Sequence, residues 1–127
     1  MPIFRFAILF LCAALAFGAE EVIFSGTPSV RIDADGGQSV RVELSDLGAK
    51  KYECRIIAKG KKYLWASRGS RELIRSDSGD YTYFVSPEGT GYIKVALVKT
   101  GGTFDYMESF TTELKTVTYW GKRSKTP

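Results

Sequence analysis

The stretch Tyr52-Glu53-Cys54-Arg55-Ile56-Ile57-Ala58-Lys59-Gly60-Lys61-Lys62-Tyr63-Leu64-Trp65-Ala66 decides the architecture. Tyr52, Cys54, Ile56 and Ala58 fall on one face of an extended segment, and Glu53, Arg55 and Ile57 fall on the other. Such alternation marks a strand with one buried face, because successive Cβ atoms point to opposite sides of a sheet. Lys59-Gly60-Lys61 is a turn by composition, and apolar residues resume in Tyr63-Leu64-Trp65-Ala66. The segment therefore predicts a β-hairpin.

The pattern continues in both directions. Upstream, residues 21–24 form a short apolar opening, Ser29-Val30-Arg31-Ile32 alternates, and Asp33-Ala34-Asp35-Gly36-Gly37 reads as a turn. Ser39-Val40-Arg41-Val42-Glu43-Leu44 then puts Val40, Val42 and Leu44 on one face. Residues 45–50 predict a loop, or at most one helical turn. Downstream, a basic, serine-rich loop leads to Glu72-Leu73-Ile74, and residues 80–86 and 92–98 are two strong strands around Pro87-Glu88-Gly89-Thr90-Gly91. After the turn at Gly101-Gly102, residues 104–110 and 114–120 predict a closing hairpin. Roughly eight or nine short strands at turn spacings of about 8–12 residues predict an all-β domain. A small antiparallel β-sandwich is the favoured architecture and a small barrel the alternative. The domain is expected over residues 20–120, followed by a basic flexible tail at 121–127.

The first residues, Met1-Pro2-Ile3-Phe4-Arg5, lead into an apolar run at 6–17 and then Gly18-Ala19 before Glu20-Glu21. One cation, a run of about a dozen apolar residues and small residues near an acidic start are the parts of a secretory signal peptide. A membrane-spanning helix needs roughly 20 apolar residues, so a cleaved leader over residues 1–19 is expected. Leu11, in front of Cys12, is too large for lipoprotein processing. The processed chain of about 108 residues is expected in the periplasm or outside the cell. It retains one cysteine, Cys54, which predicts a fold without an internal disulfide and a buried, small apolar role for that thiol.

The 127-residue chain has no histidine, which removes Ser-His-Asp and Cys-His catalysis and every histidine-containing zinc site. It has no asparagine to carry an N-linked glycan. Neither a Ser-x-x-Lys run nor a glycine-flanked serine elbow occurs. A non-enzymatic chain without a cofactor is the expectation. Asp33-Ala34-Asp35-Gly36 and Asp77-Ser78-Gly79-Asp80 set carboxylates in turns but fall short of a calcium loop, so no metal site is assigned.

Net charge is +4, unevenly placed. Residues 50–75 carry Lys50, Lys51, Arg55, Lys59, Lys61, Lys62, Arg68, Arg71 and Arg75 against Glu53 and Glu72, with Tyr52, Tyr63 and Trp65 interleaved. Cations with aromatic faces suit anionic polymers, and Lys59, Lys61, Lys62, Tyr63, Trp65, Arg68 and Arg71 are the candidate binding residues. The plainer reading is that these lysines keep a solvated hairpin from pairing with other chains. An exported protein is a poor match for nucleic acid. Tyr81, Tyr83, Phe84, Tyr92, Phe104, Tyr106, Phe110, Tyr119 and Trp120 crowd the C-terminal half. Tyr83 and Phe84 must point to opposite faces, which predicts a central strand covered on both sides by further layers or by a partner.

Asp77-Ser78-Gly79-Asp80-Tyr81-Thr82-Tyr83 resembles the run before strand F of immunoglobulin-like domains, and residues 37–44 and 56–60 are similar to strands B and C. The resemblance implies a tyrosine-corner role for Tyr81. Leu44 and Tyr83 stand where that family has its disulfide cysteines, and Ile56 stands where it has its core tryptophan.

The composite expectation is an exported binding or structural module. It would recognise another macromolecule, a protein or an anionic polymer, through an edge strand, a loop or an aromatic face. The alternatives are a barrel carrying an apolar ligand and a polyanion-binding protein using residues 50–75.

Overall fold

A computed structural model describes residues 20–98 and 101–127; the leader expected at 1–19 lies outside the described residues. The elements are β1 (Glu20–Asp35), β2 (Gln38–Glu43), α1 (Asp46–Lys51), β3 (Cys54–Lys59), β4 (Lys62–Trp65), a 3-10 turn (Ala66–Arg68), β5 (Arg71–Ser78), β6 (Tyr81–Val85), β7 (Gly91–Ala96), β8 (Tyr106–Thr112) and β9 (Lys115–Lys125). No helix among the described residues is long and apolar enough to cross a membrane.

β1 organises the rest. On one edge its first half pairs with β3, from Glu20↔Lys59 to Gly26↔Cys54, and its second half pairs with β2, from Val30↔Glu43 to Asp35↔Gln38. On the other edge it pairs with β9 along residues 25–35. The sheet therefore runs β1-β3-β4-β5-β6-β7-β8-β9 and returns to β1, an eight-stranded antiparallel barrel with β2 as an extra strand. Closure needs a bent strand, and register shifts at Val22/Phe24, Ser25/Gly26 and Pro28/Val30 supply it. Such bulges sharpen local twist at the cost of a ladder position.

The barrel is the alternative architecture, and it replaces the two packed sheets of an immunoglobulin-like domain. A sandwich leaves free edges; here β9 consumes the edge of β1. The resemblance fails at its other residues as well. Tyr81 lies on the outer surface beneath the Lys94 ammonium, 4.3 Å from the ring centroid, and Tyr83 also faces out beside Lys94. Leu44 follows β2 and donates its amide to the Ser29 carbonyl. Only Ile56 is a core residue, fully buried. The residues expected to fray are strand as far as Lys125, which pairs with Ser25.

The local chemistry is simple. Asp35↔Gln38 leaves Gly36 and Gly37 as a two-residue hairpin loop with φ of 57° and 82°, the primed turn that suits strand twist. In α1, the Ser45 hydroxyl accepts from the Gly48 amide at 3.2 Å, Asp46 sits in the first turn, and Lys50 and Lys51 sit in the last. Cap and charges oppose the helix dipole at both ends.

Inward-facing residues fill the barrel. Phe24, Cys54, Ile56, Trp65, Leu73, Phe84, Ile93, Val95 and Tyr106 form one buried cluster, with the edge of Phe24 on Tyr106 at 5.3 Å between centroids. Large rings fit because glycines stand opposite them: a Cβ on Gly26 would enter the Tyr106 ring, and one on Gly91 would enter the Trp65 ring. At Gly121 the obstacle is backbone, the Thr27 carbonyl and Pro28. Backbone in a closed ladder has nowhere to move. Gly121→Ala should therefore lower the free energy of unfolding by about 3 kcal/mol, at the upper end of overpacking costs. Urea denaturation of the variant beside the parent measures it, and an unchanged midpoint would disprove the β1–β9 closure.

Candidate functional site

Antiparallel connectivity sends the β3–β4, β5–β6 and β7–β8 turns to one end of the barrel. The 3-10 turn, the β6–β7 turn, the β8–β9 hairpin and α1 gather at the other end, called here the mouth. This arrangement divides the basic segment. Lys59, Lys61 and Lys62 sit at the β3–β4 turn, where Lys59 pairs with Glu20 at 3.4 Å and Lys62 with Glu72 at 3.9 Å, all exposed. Ion pairs of this kind contribute about 0–1 kcal/mol. Tyr63 points inward, meeting the Phe84 ring at 5.7 Å and lying beneath Arg75 at 5.8 Å. Trp65, Arg68 and Arg71 come together at the mouth, where they line a pocket of about 520 Å³ with Thr90, Phe110, Thr111 and Thr112.

Behind the Trp65 and Arg68 side chains that line this pocket lies a residue to which the sequence alone assigns no role. Glu108, on β8, is fully buried. Its Oε2 accepts the Trp65 indole N–H at 2.7 Å, its Oε1 accepts from Arg68 Nη2 at 2.7 Å, and Arg68 Nε donates to Oε2 at 3.3 Å. A carboxylate removed from water is tolerated only when paired and hydrogen-bonded, and the planar guanidinium does both with two parallel bonds. One signal for it was present. In Tyr106-Met107-Glu108-Ser109-Phe110, Glu108 shares the inward phase of Tyr106 and Phe110, an unusual place for a charge.

Arg68 is also held through its faces. Its guanidinium lies 5.2 Å from the Phe110 centroid and 5.1 Å from that of Tyr119. Tyr119 meets Arg31 at 5.7 Å; Arg31 covers Tyr52 at 5.3 Å, donates to the Tyr52 hydroxyl at 3.2 Å and pairs with Asp33 at 2.8 Å. Lys51 lies over the same Tyr52 ring at 5.3 Å. Cations and rings thus alternate from the exposed Lys51 to Phe110, whose ring meets the buried Trp65 at 6.3 Å between centroids. Each such contact is worth about 0.5–2 kcal/mol, depending on how dry it is.

Charges respond accordingly. Burial works against the Arg68 charge, but the hydrogen bond and charge of Glu108 more than offset it and raise its pKa. Burial first, and then the negative charge of Glu108, push the Cys54 thiol well above its ordinary value. Cys54 is therefore a neutral core thiol with none of the character of a nucleophile. Two of the turn carboxylates are occupied by neighbours: Asp77 accepts from Arg75 and from the Thr82 hydroxyl, and Asp33 accepts from Arg31.

On the outer surface, Lys94 lies 4.3 Å from Tyr81 and 5.5 Å from Tyr83, and the row continues through Met107 to Trp120, whose ring meets Phe104 at 5.9 Å. No second layer of the chain covers this face among the described residues. Tyr83 is only half-buried; Phe84 is sealed inside.

No protein-family model matches the chain, and no curated protein or solved structure matches it either.

Two measurements test the buried chemistry. Glu108→Gln removes the charge that Arg68 needs and should destabilise the fold by about 3 kcal/mol in urea denaturation. The apolar pair Glu108→Leu with Arg68→Met should recover most of that loss, since a buried ion pair often gains little over well-packed apolar residues. For Cys54 the folded pKa is raised, so the protein is unaffected below the thiol's unfolded pKa. Above it, the unfolded state alone releases the proton, and stability falls with a slope approaching ~1.4 kcal/mol per pH unit for that group. Denaturation from pH 7 to pH 10.5 should show the decline in the parent, with a shallower one in Cys54→Ala. Equal slopes would reject the assignment.

Proposed function

We propose that the protein is an exported, non-enzymatic binding module whose barrel mouth captures an acidic side chain of a partner protein. The observation that carries this reading is that Trp65 and Arg68, both fixed by the buried Glu108 behind them, line a pocket together with Arg71. Glu108 neutralises Arg68 but fixes its orientation, so the remaining donor edge of the guanidinium is preorganised. Arg71, exposed and in no ion pair with a carboxylate among the described residues, supplies net positive charge. Thr112 adds a hydroxyl, beside those of Thr90 and Thr111, which are engaged with Ser86 and Thr116. A rigid donor set loses little freedom on binding, which favours recognition of one acidic group.

Two further features weigh against the alternatives. Side chains from Phe24 to Tyr119 occupy the barrel interior, leaving little room for an apolar cargo. The lysines at the β3–β4 turn lie at the opposite end from Arg68 and Arg71, so residues 50–75 make no continuous track for a polyanion.

A short glutamate-rich peptide is the probe. Titrated into 15N-labelled protein, it should shift the Trp65 indole and Arg68 Nε–H resonances, because both groups share Glu108. Arg71→Glu should weaken the interaction about tenfold or more, equivalent to ~1.4 kcal/mol. Lys61→Glu should leave it unchanged. Shifts confined to the lysine turn, or tighter and strongly salt-dependent binding of heparin in place of the peptide, would replace this reading with polyanion binding.

A further inference from the structure

Among the described residues, barrel closure pairs every strand on both sides except one. Within that set β2 bonds to β1 alone, and each of its six residues is exposed. We infer that β2 is a self-association edge, and that two copies of this chain join antiparallel through it about a two-fold axis at Val42.

The phase of the hydrogen bonds comes first. Gln38 closes the two-residue hairpin opposite Asp35, and the Leu44 amide donates to the Ser29 carbonyl at 2.9 Å. Antiparallel bonding alternates residue by residue, so Gln38, Val40, Val42 and Leu44 turn their backbone groups toward β1. Ser39, Arg41 and Glu43 turn theirs outward, toward open space.

The sequence at this edge is self-complementary. With the axis at Val42, Arg41 of one copy stands opposite Glu43 of the other, and this is the pair whose backbone groups point outward. Each Arg41–Glu43 pair then exchanges both N–H···O bonds while its side chains bring opposite charges together. Val42 faces its own copy in the close, non-hydrogen-bonded position, and Val40 faces Leu44. The apolar row lies on one side of the joined strands and the charged row on the other.

The exposure is consistent with this. Val40 is 59 % and Val42 is 42 % exposed, though both belong to the strand's apolar face. Charged edge residues usually discourage strand addition. Here Arg41 and Glu43 already bond each other within the strand at 2.9 Å, and the same pair of signs reads correctly across a two-fold axis. The contact is isologous, so it closes at a dimer and does not grow into a filament. A single strand edge falls short of a standard interface, which makes the dimer weak and dependent on concentration.

Sedimentation equilibrium of the purified protein from micromolar to millimolar concentration should show the apparent mass rising about twofold. Arg41→Glu should hold the protein monomeric, and Arg41→Glu with Glu43→Arg should restore association. As a geometric readout, the thiol of Val42→Cys should cross-link two copies under mild oxidation, since the axis sets these positions face to face. Gln38→Cys, which the register displaces from the axis, should cross-link much more slowly. A protein that stays monomeric at millimolar concentration, an association that Arg41→Glu leaves intact, or equal cross-linking at both positions would overturn the inference. The first of these would instead favour a foreign extended segment as the occupant of the edge.

Discussion

A charged carboxylate in the interior of a closed barrel is the constraint on which the rest of the molecule depends. Glu108 has no access to water, so the fold must bring a cation and further donors to it. Arg68 can reach it only because the chain leaves β4 in a short 3-10 turn that ends in a left-handed glycine, Gly69, with φ of 73°. Trp65 can donate to it only because its indole lies across the barrel, over a position where Gly91 has no side chain. Turn geometry, glycine placement and ring orientation are all consequences of where one carboxylate sits.

Closure itself depends on the length of β1. A strand of 16 residues offers one edge to two partners in succession, β3 and then β2, while its other edge takes β9. A shorter strand would have left β9 with a free edge, and a straighter one would not have come round to meet it. The bulges beside Gly26 and Pro28 bend the strand at the level where Phe24 and Tyr106 need space. Bending and packing are thus solved by the same few residues.

Much of this was readable in the amino-acid sequence. The hairpin from Cys54 to Trp65 has the turn and facing residues that alternation assigns, and the β6, β7, β8 and β9 segments lie where their apolar phases put them. The errors have physical causes. Gly26-Thr27-Pro28 reads as a break between two strands, yet a bulged strand tolerates glycine and proline, so β1 continues through it. The pairing of β9 with β1 joins residues nearly a chain apart, and alternation carries no information about partners at that distance. This is why barrel and sandwich could not be separated, and why residues 121–125 read as a tail. The basic segment reads as one patch because its charges are neighbours in sequence. An intervening strand puts residues before and after it at opposite ends of the barrel. Glu108 is legible in phase, but a lone acid among apolar residues is conspicuous only once its strand is known to face inward.

The concentration of chemistry at one end follows from the same geometry. The second half of β1 runs beyond its contact with β3, and it carries Arg31 to Tyr119 and Tyr52 while holding β2 beside them. Val42 is the register partner of Arg31, so the open edge of β2 is one strand away from the cation–ring series at the mouth. The closed wall offers other molecules few backbone groups, because its ladder positions are largely occupied. Among the described residues, the pocket at the mouth and the outer edge of β2 remain available, both supported by one overhanging strand. A change that straightens or shortens the end of β1 must therefore disturb both, whereas a change in the lysine-tipped turn at the far end should reach neither.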